Sequence, residues 1–137
     1  MKTVIELVTD KLFQEVKEEY EKHGELSDNI LSSLNFVFGQ PLLSALDLVD
    51  RDCVSHVTTP CQKEVYQVSS DSGRTYTCPA TLQYCPCLSY AFGVVKRGEL
   101  LVCKHILAIQ LSRATGSCKE VQADDEKVSV ILFEQDY

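Results

Sequence analysis

The sequence is short of the features by which most function classes announce themselves. No apolar run approaches the ~20 residues that a membrane-spanning helix needs. The opening stretch meets acidic residues at Glu6 and Asp10, so it is not expected to act as a secretory signal. A G-x-x-x-x-G-K-S/T phosphate loop is absent, and any ATP turnover is expected to belong to a partner. No Ser-His-Asp arrangement or activated cysteine is suggested, so the chain is expected to be non-enzymatic, with no small-molecule substrate. There is no internal repeat and no low-complexity linker. Positive charge is also scarce: 13 Lys and Arg stand against 20 Asp and Glu, a net charge of −7.

Cysteine, by contrast, is plentiful. Seven cysteines, an odd number in a chain with no expected secretory signal, argue for a reducing compartment and for thiols or metal rather than a disulfide framework. Four residues stand out by spacing. Cys85-Pro86-Cys87 is followed after fifteen residues by Cys103-Lys104-His105, a C-x-C…C-x-H set. Three thiols and one imidazole are the ligand count and type of a closed tetrahedral zinc site, which leaves no opening for a catalytic water. One structural zinc held by Cys85, Cys87, Cys103 and His105 is therefore expected, and a nucleophilic role for Cys87 or Cys103 is not.

The spacing also constrains the backbone. Residues i and i+2 share one face of a strand but lie roughly 200° apart around a helix, so neither pair can chelate from inside one regular helix. Pro86 pushes Cys85 out of the helical region and onto an extended knuckle. The apolar run Ile106-Leu107-Ala108-Ile109 predicts a helix with His105 in its first turn and Cys103 just before it, where a helix N-terminus favours thiolate.

Cys85-x-Cys87…Cys103-x-His105-x-x-Ala108 resembles the SWIM-type zinc finger, including the alanine three residues past the histidine found in its Shu-complex members. The stretches Leu31-Ser32-Ser33-Leu34-Asn35-Phe36-Val37-Phe38-Gly39, Ala45-Leu46-Asp47-Leu48-Val49-Asp50-Arg51 and Thr75-Tyr76-Thr77-Cys78 resemble the short vertebrate SWIM-domain subunits of that complex, over about residues 31–111. The resemblance implies a nuclear, non-enzymatic accessory of homologous recombination. It implies an obligate heteromeric partner, a RecA-like recombinase paralogue, and indirect support of the recombinase filament on single-stranded DNA.

Charge is unevenly spread. Residues 1–52 carry five basic and eleven acidic groups, net −6; residues 53–118 carry six and three, net +3; residues 119–137 carry two and six, net −4. A weakly basic finger between acidic flanks is a poor stand-alone nucleic-acid binder, since phosphate contacts supply most non-specific affinity. Direct binding to single-stranded DNA is the alternative reading. It would gather Lys96, Arg97, Lys104 and Arg113 into one patch, with Tyr84, Tyr90 and Phe92 available to stack bases. Tyr84 and Phe92 are expected in the core around the metal.

The expected fold class is α+β: an N-terminal helical region over 1–52, a β-hairpin region and finger over 53–118 with the finger core at 76–111, and an acidic segment over 119–137. Thr3-x-x-Glu6 reads as a capping box, and Ile5, Val8, Leu12, Val16 and Tyr20 recur at helical steps until Gly24. That stripe suits core packing or a partner-binding face. Ser27 or Asp28 caps a second helix ended by Gly39, and Pro41 opens a third over 41–49. Phe36, Phe38, Leu42 and Leu43 cannot all face one core, which predicts an exposed remnant. Strands are expected over 54–59, 63–68 and 74–78 as part of a small antiparallel sheet, and over 82–85 leading into the knuckle. Residues 88–95 read as a short helix, 112–125 as polar connection, and 128–133 as strand or short helix. Cys53, Cys61, Cys78 and Cys118 are expected to be reduced thiols in or near the core. His23 and His56 are expected to face solvent or hydrogen-bond, and Asp47, Asp50 and Asp52 to form a solvated or arginine-paired turn.

Overall fold

The computed structural model describes residues 3–70, 72–80 and 83–128. Helix α1 runs over Val4–His23, opened by the Thr3–Glu6 capping box, whose two reciprocal hydrogen bonds are both 3.1 Å, and closed by Gly24 at φ 72°. A left-handed residue there favours glycine, which has no Cβ to clash. Ser27 caps α2 (Asp28–Phe38) by accepting from the Ile30 amide at 3.3 Å. Its own amide donates to Glu19 Oε1 at 2.5 Å, tying the two helices into a hairpin. Pro41 opens α3 (Pro41–Asp50), where its missing N–H has no partner to lose. Asp47 pairs with Arg51 at 2.8 Å at the helix end.

Three strands follow: β1 (Val54–Thr58), β2 (Glu64–Ser69) and β3 (Thr75–Pro79), antiparallel neighbours. Val54 faces Val68, Tyr66 faces Cys78 and Val68 faces Tyr76 in register, so these side chains share one sheet face and enter the main core. Val57 and Val65 occupy the opposite face with Val128. Helix α4 (Lys104–Thr115) lies between that sheet and helices α1 and α3, and is buried on nearly every side from His105 to Ser112. A helix apolar all round belongs in a core. Full burial of Leu107 and Leu111 stabilises by about 1.5–3 kcal/mol each.

The α+β class stands, with three differences of detail. Polar Lys119–Gln122 forms β4, parallel to β1, so the sheet is mixed, in the order β3-β2-β1-β4. All four β4 residues are exposed, so no apolar alternation marks the strand; backbone pairing and the Glu120–His56 contact at 2.7 Å hold it. Residues 83–86 are not strand, and the rest of the 82–85 segment lies outside the described residues. The short helix after the knuckle is wound as π-helix over Tyr90–Lys96. A helical turn covers 125–128, and the remainder of 128–133 is outside the described residues. Among the described residues, no helix is long and apolar enough to cross a membrane.

Candidate metal centre

Pro86 keeps the chain irregular between Cys85 and Cys87, and this knuckle is fixed from both sides. The Tyr90 amide donates to Cys87 Sγ at 3.3 Å, the Tyr90 hydroxyl donates to the Gln83 carbonyl at 2.6 Å, and Gln83 Nε2 donates to the Leu101 carbonyl at 3.3 Å. Cys103 is the N-cap of α4, with extended backbone (φ −84°, ψ 169°), and His105 sits in the first helical turn. Knuckle and helix start therefore converge.

The four predicted residues meet there. Ligand atoms of Cys85, Cys87, Cys103 and His105 all lie within 4.8 Å of one another, and all four residues are buried. His105 Nδ1 is 3.6 Å from Cys85 Sγ. Zn–S bonds of ~2.3 Å set sulfurs about 3.8 Å apart in a tetrahedron, so the cluster fits one zinc with modest contraction.

The chemistry of the donors fits too. Packed together, the three thiols perturb one another in opposite directions. Cys87 is pulled far below the usual thiol range by hydrogen bonds from Cys103 and Cys85. Cys103 is pushed far above it by its hydrogen bonds with Cys85 and Cys87 and by burial. Cys85 also ends raised: the Cys103 hydrogen bond pulls it down, but Cys78, Cys87 and burial outweigh that pull. With zinc bound, Cys85, Cys87 and Cys103 would be held as thiolates, and the knuckle and α4 would be joined as one folding unit.

Strand β3 supplies a supporting layer that the spacing argument passed over. Tyr76 stacks on the His105 imidazole with ring centroids 4.2 Å apart and 28° between planes, and the Arg74 guanidinium carbon lies 5.3 Å from the centroid of the Tyr76 ring. Cys78, two residues on, is buried beside Cys85. Period-2 alternation in Thr75-Tyr76-Thr77-Cys78 was the available signal, because it puts Tyr76 and Cys78 on one face.

The remaining candidates lie apart. Cys53 and Cys118 are half-buried, whereas Cys61 is exposed, contrary to a core placement, in the turn after β1. His56 bridges Glu64 at 2.9 Å and Glu120 at 2.7 Å, and His23 is exposed at the end of α1. Tyr84 and Phe92 are not core: they are 41% and 43% exposed, whereas Tyr76 of β3 packs on His105. Tyr84 meets Tyr90 edge-on at 5.6 Å, and Lys96 Nζ lies 4.9 Å from the Phe92 ring.

A buried C-x-C knuckle facing a C-x-H helix start, closed by four protein ligands, defines a SWIM-type zinc finger protein. The chain is 41% identical to "Zinc finger SWIM domain-containing protein 7" of Danio rerio, over 93% of its own length and 91% of the relative's. It is 39% identical to the Mus musculus protein of that name (93% and 84% covered) and 36% to that of Homo sapiens (97% and 95%). The chain belongs to the family of Zinc finger SWIM domain-containing protein 7. No protein-family model and no solved structure matches it.

Proposed function

We propose that the chain is a non-enzymatic zinc-finger subunit of a Shu-type complex in the nucleus. It binds a RecA-like recombinase paralogue as an obligate partner and promotes homologous recombination repair by supporting the recombinase filament on single-stranded DNA. One observation carries the adaptor part of this reading. All four candidate zinc ligands are buried, while large apolar side chains outside the site stay uncovered, Phe36 at 91% and Leu43 at 78% exposure. A closed metal site builds a scaffold, and apolar groups left in water mark a surface for another protein. The recombination part rests on the SWIM and Shu resemblance of the sequence. The acidic flanks of the weakly basic finger support leaving most DNA contact to the partner.

The test is affinity purification of the tagged chain from DNA-damaged cells beside its His105→Ala form, with mass spectrometry of what co-elutes. A RecA-like paralogue present with wild type and lost with the variant supports the reading. Recovery of histones or RNA-binding proteins alone contradicts it.

The exposure of Tyr84 and Phe92 favours a second reading, direct binding of single-stranded DNA by the finger. Titration of labelled oligonucleotides at two salt concentrations decides it. Affinity weaker than about 10⁻⁵ M, near the non-specific range, leaves the DNA to the partner.

A further inference from the structure

Helices α1 and α2 form a hairpin, and a groove of about 510 Å³ runs between them on the outside of the molecule. Its ends differ in chemistry. At one end Val8, Leu12, Phe36 and Val37 line the walls, and Val4 and Ile5 continue the apolar surface one turn before Val8 on the same helix face. Val4, Ile5 and Val8 are all exposed, so this is apolar surface left in water on a structured helix. In the middle, Ser32 and Ser33 present small side chains and leave room for an incoming element. Lys11 also lines the groove, and Glu15 joins it to a second depression lined by Glu18, Glu19, Lys22 and His23, so that end carries three carboxylates beside Lys22, an acidic excess.

We propose that this groove docks an amphipathic helical segment of another protein, with two or three apolar anchors at one end and lysine or arginine at the other. The distance from Val8 to Glu18 along α1 is about 15 Å, roughly three turns of a helix, which matches anchors at i, i+3 or i+4, and i+7. Basic charge beyond the anchors answers Glu15 and Glu18. A second copy of this chain brings the same acidic excess, residues 1–52 being net −6 as a whole, and so does not supply the basic segment that answers Glu15 and Glu18. The assignment rests on the adaptor reading only in taking the occupant to be a partner protein, and it names the surface and the chemistry of that contact.

The experiment uses the zinc-loaded full chain and a labelled helical peptide about four turns long, with leucines at i, i+3 and i+7 followed by lysines. Fluorescence anisotropy measures its binding beside a peptide in which glutamates replace the lysines. The basic peptide is expected to bind at least about tenfold more tightly than the acidic one. Phe36→Ser is expected to abolish binding without lowering the melting temperature, because the side chain is exposed. Glu15→Lys with Glu18→Lys is expected to reverse the charge preference. Equal binding of both peptides, binding by neither, or unchanged binding by Phe36→Ser overturns the proposal. So does a wild-type dimer in sedimentation that Phe36→Ser dissolves, since a second copy would then fill the groove. Phe36→Ser that loses the peptide yet still co-purifies a RecA-like paralogue at wild-type yield overturns the groove as that partner's site and leaves the adaptor reading standing. Loss of the paralogue from wild type itself defeats the adaptor reading instead.

Discussion

The ring of Tyr76 stacks on the face of the His105 imidazole, with centroids 4.2 Å apart, and is the orienting contact of a ligand whose in-plane hydrogen bond at Nε2 is missing among the described residues. Nδ1 faces the sulfur of Cys85, and buried Nε2 has no hydrogen-bond partner among the described residues. Stacking therefore holds the orientation of this ligand. Tyr76→Leu is expected to weaken zinc affinity about 10–100-fold, the range for loss of a partner that orients a ligand. Tyr76→Phe keeps the ring and should stay close to wild type. Competition against a chromophoric chelator measures both, and equal losses would mean that the hydroxyl, not the stack, matters.

Zinc binding should expel protons and weaken in acid. Cys103 and Cys85 are raised in the metal-free cluster and so are protonated at neutral pH, whereas zinc takes them as thiolates. Lowering the pH restores the competing protons, so apparent affinity falls as pH falls. Calorimetry in buffers of different ionisation enthalpy should show net proton release, and a pH-independent affinity would contradict the thiolate assignment.

Helix α4 carries both the C-x-H pair and the centre of the core, so packing and metal binding are coupled. Leu107→Ala, at a fully buried position, should cost about 2–5 kcal/mol in unfolding of the zinc-loaded protein. Chelation of zinc should lower stability more than any exposed substitution, because binding and folding are one event in small metal domains. Thermal or denaturant unfolding with and without chelator tests both statements.

His56 ties the edge strand β4 to the sheet through Glu120 and reaches Glu64 on the neighbouring strand β2. His56→Ala should speed amide exchange in Lys119–Gln122 while costing about 1 kcal/mol or less, since the carboxylates are largely solvent-exposed. Zinc affinity should not change. Unaltered exchange would mean that the backbone ladder alone secures β4.

Much of this was legible because local chemistry and tertiary structure agree. Thr3, Glu6, Gly24, Ser27, Gly39 and Pro41 mark the first three helices by capping rules that act within a few residues. The crowding of Phe36, Phe38, Leu42 and Leu43 also resolves as its density implies: Phe38 and Leu42 are buried, and Phe36 and Leu43 are not. The C-x-C and C-x-H spacing led to the four residues that now cluster. What stayed hidden depends on distant partners. Strand β4 has no apolar face to show, and it exists because β1 offers an edge 64 residues away. Tyr84 and Phe92 stay exposed while Tyr76 from β3 packs on His105, a choice that no local pattern around those residues encodes.

The central claim, one zinc in a closed site of three thiolates and one imidazole, is tested most directly by native mass spectrometry and zinc K-edge X-ray absorption on the purified chain. The account predicts one zinc per chain, with three sulfurs at ~2.3 Å and one nitrogen at ~2.0 Å. A folded protein without zinc, or a zinc shell containing water oxygen in place of one of these ligands, would contradict it.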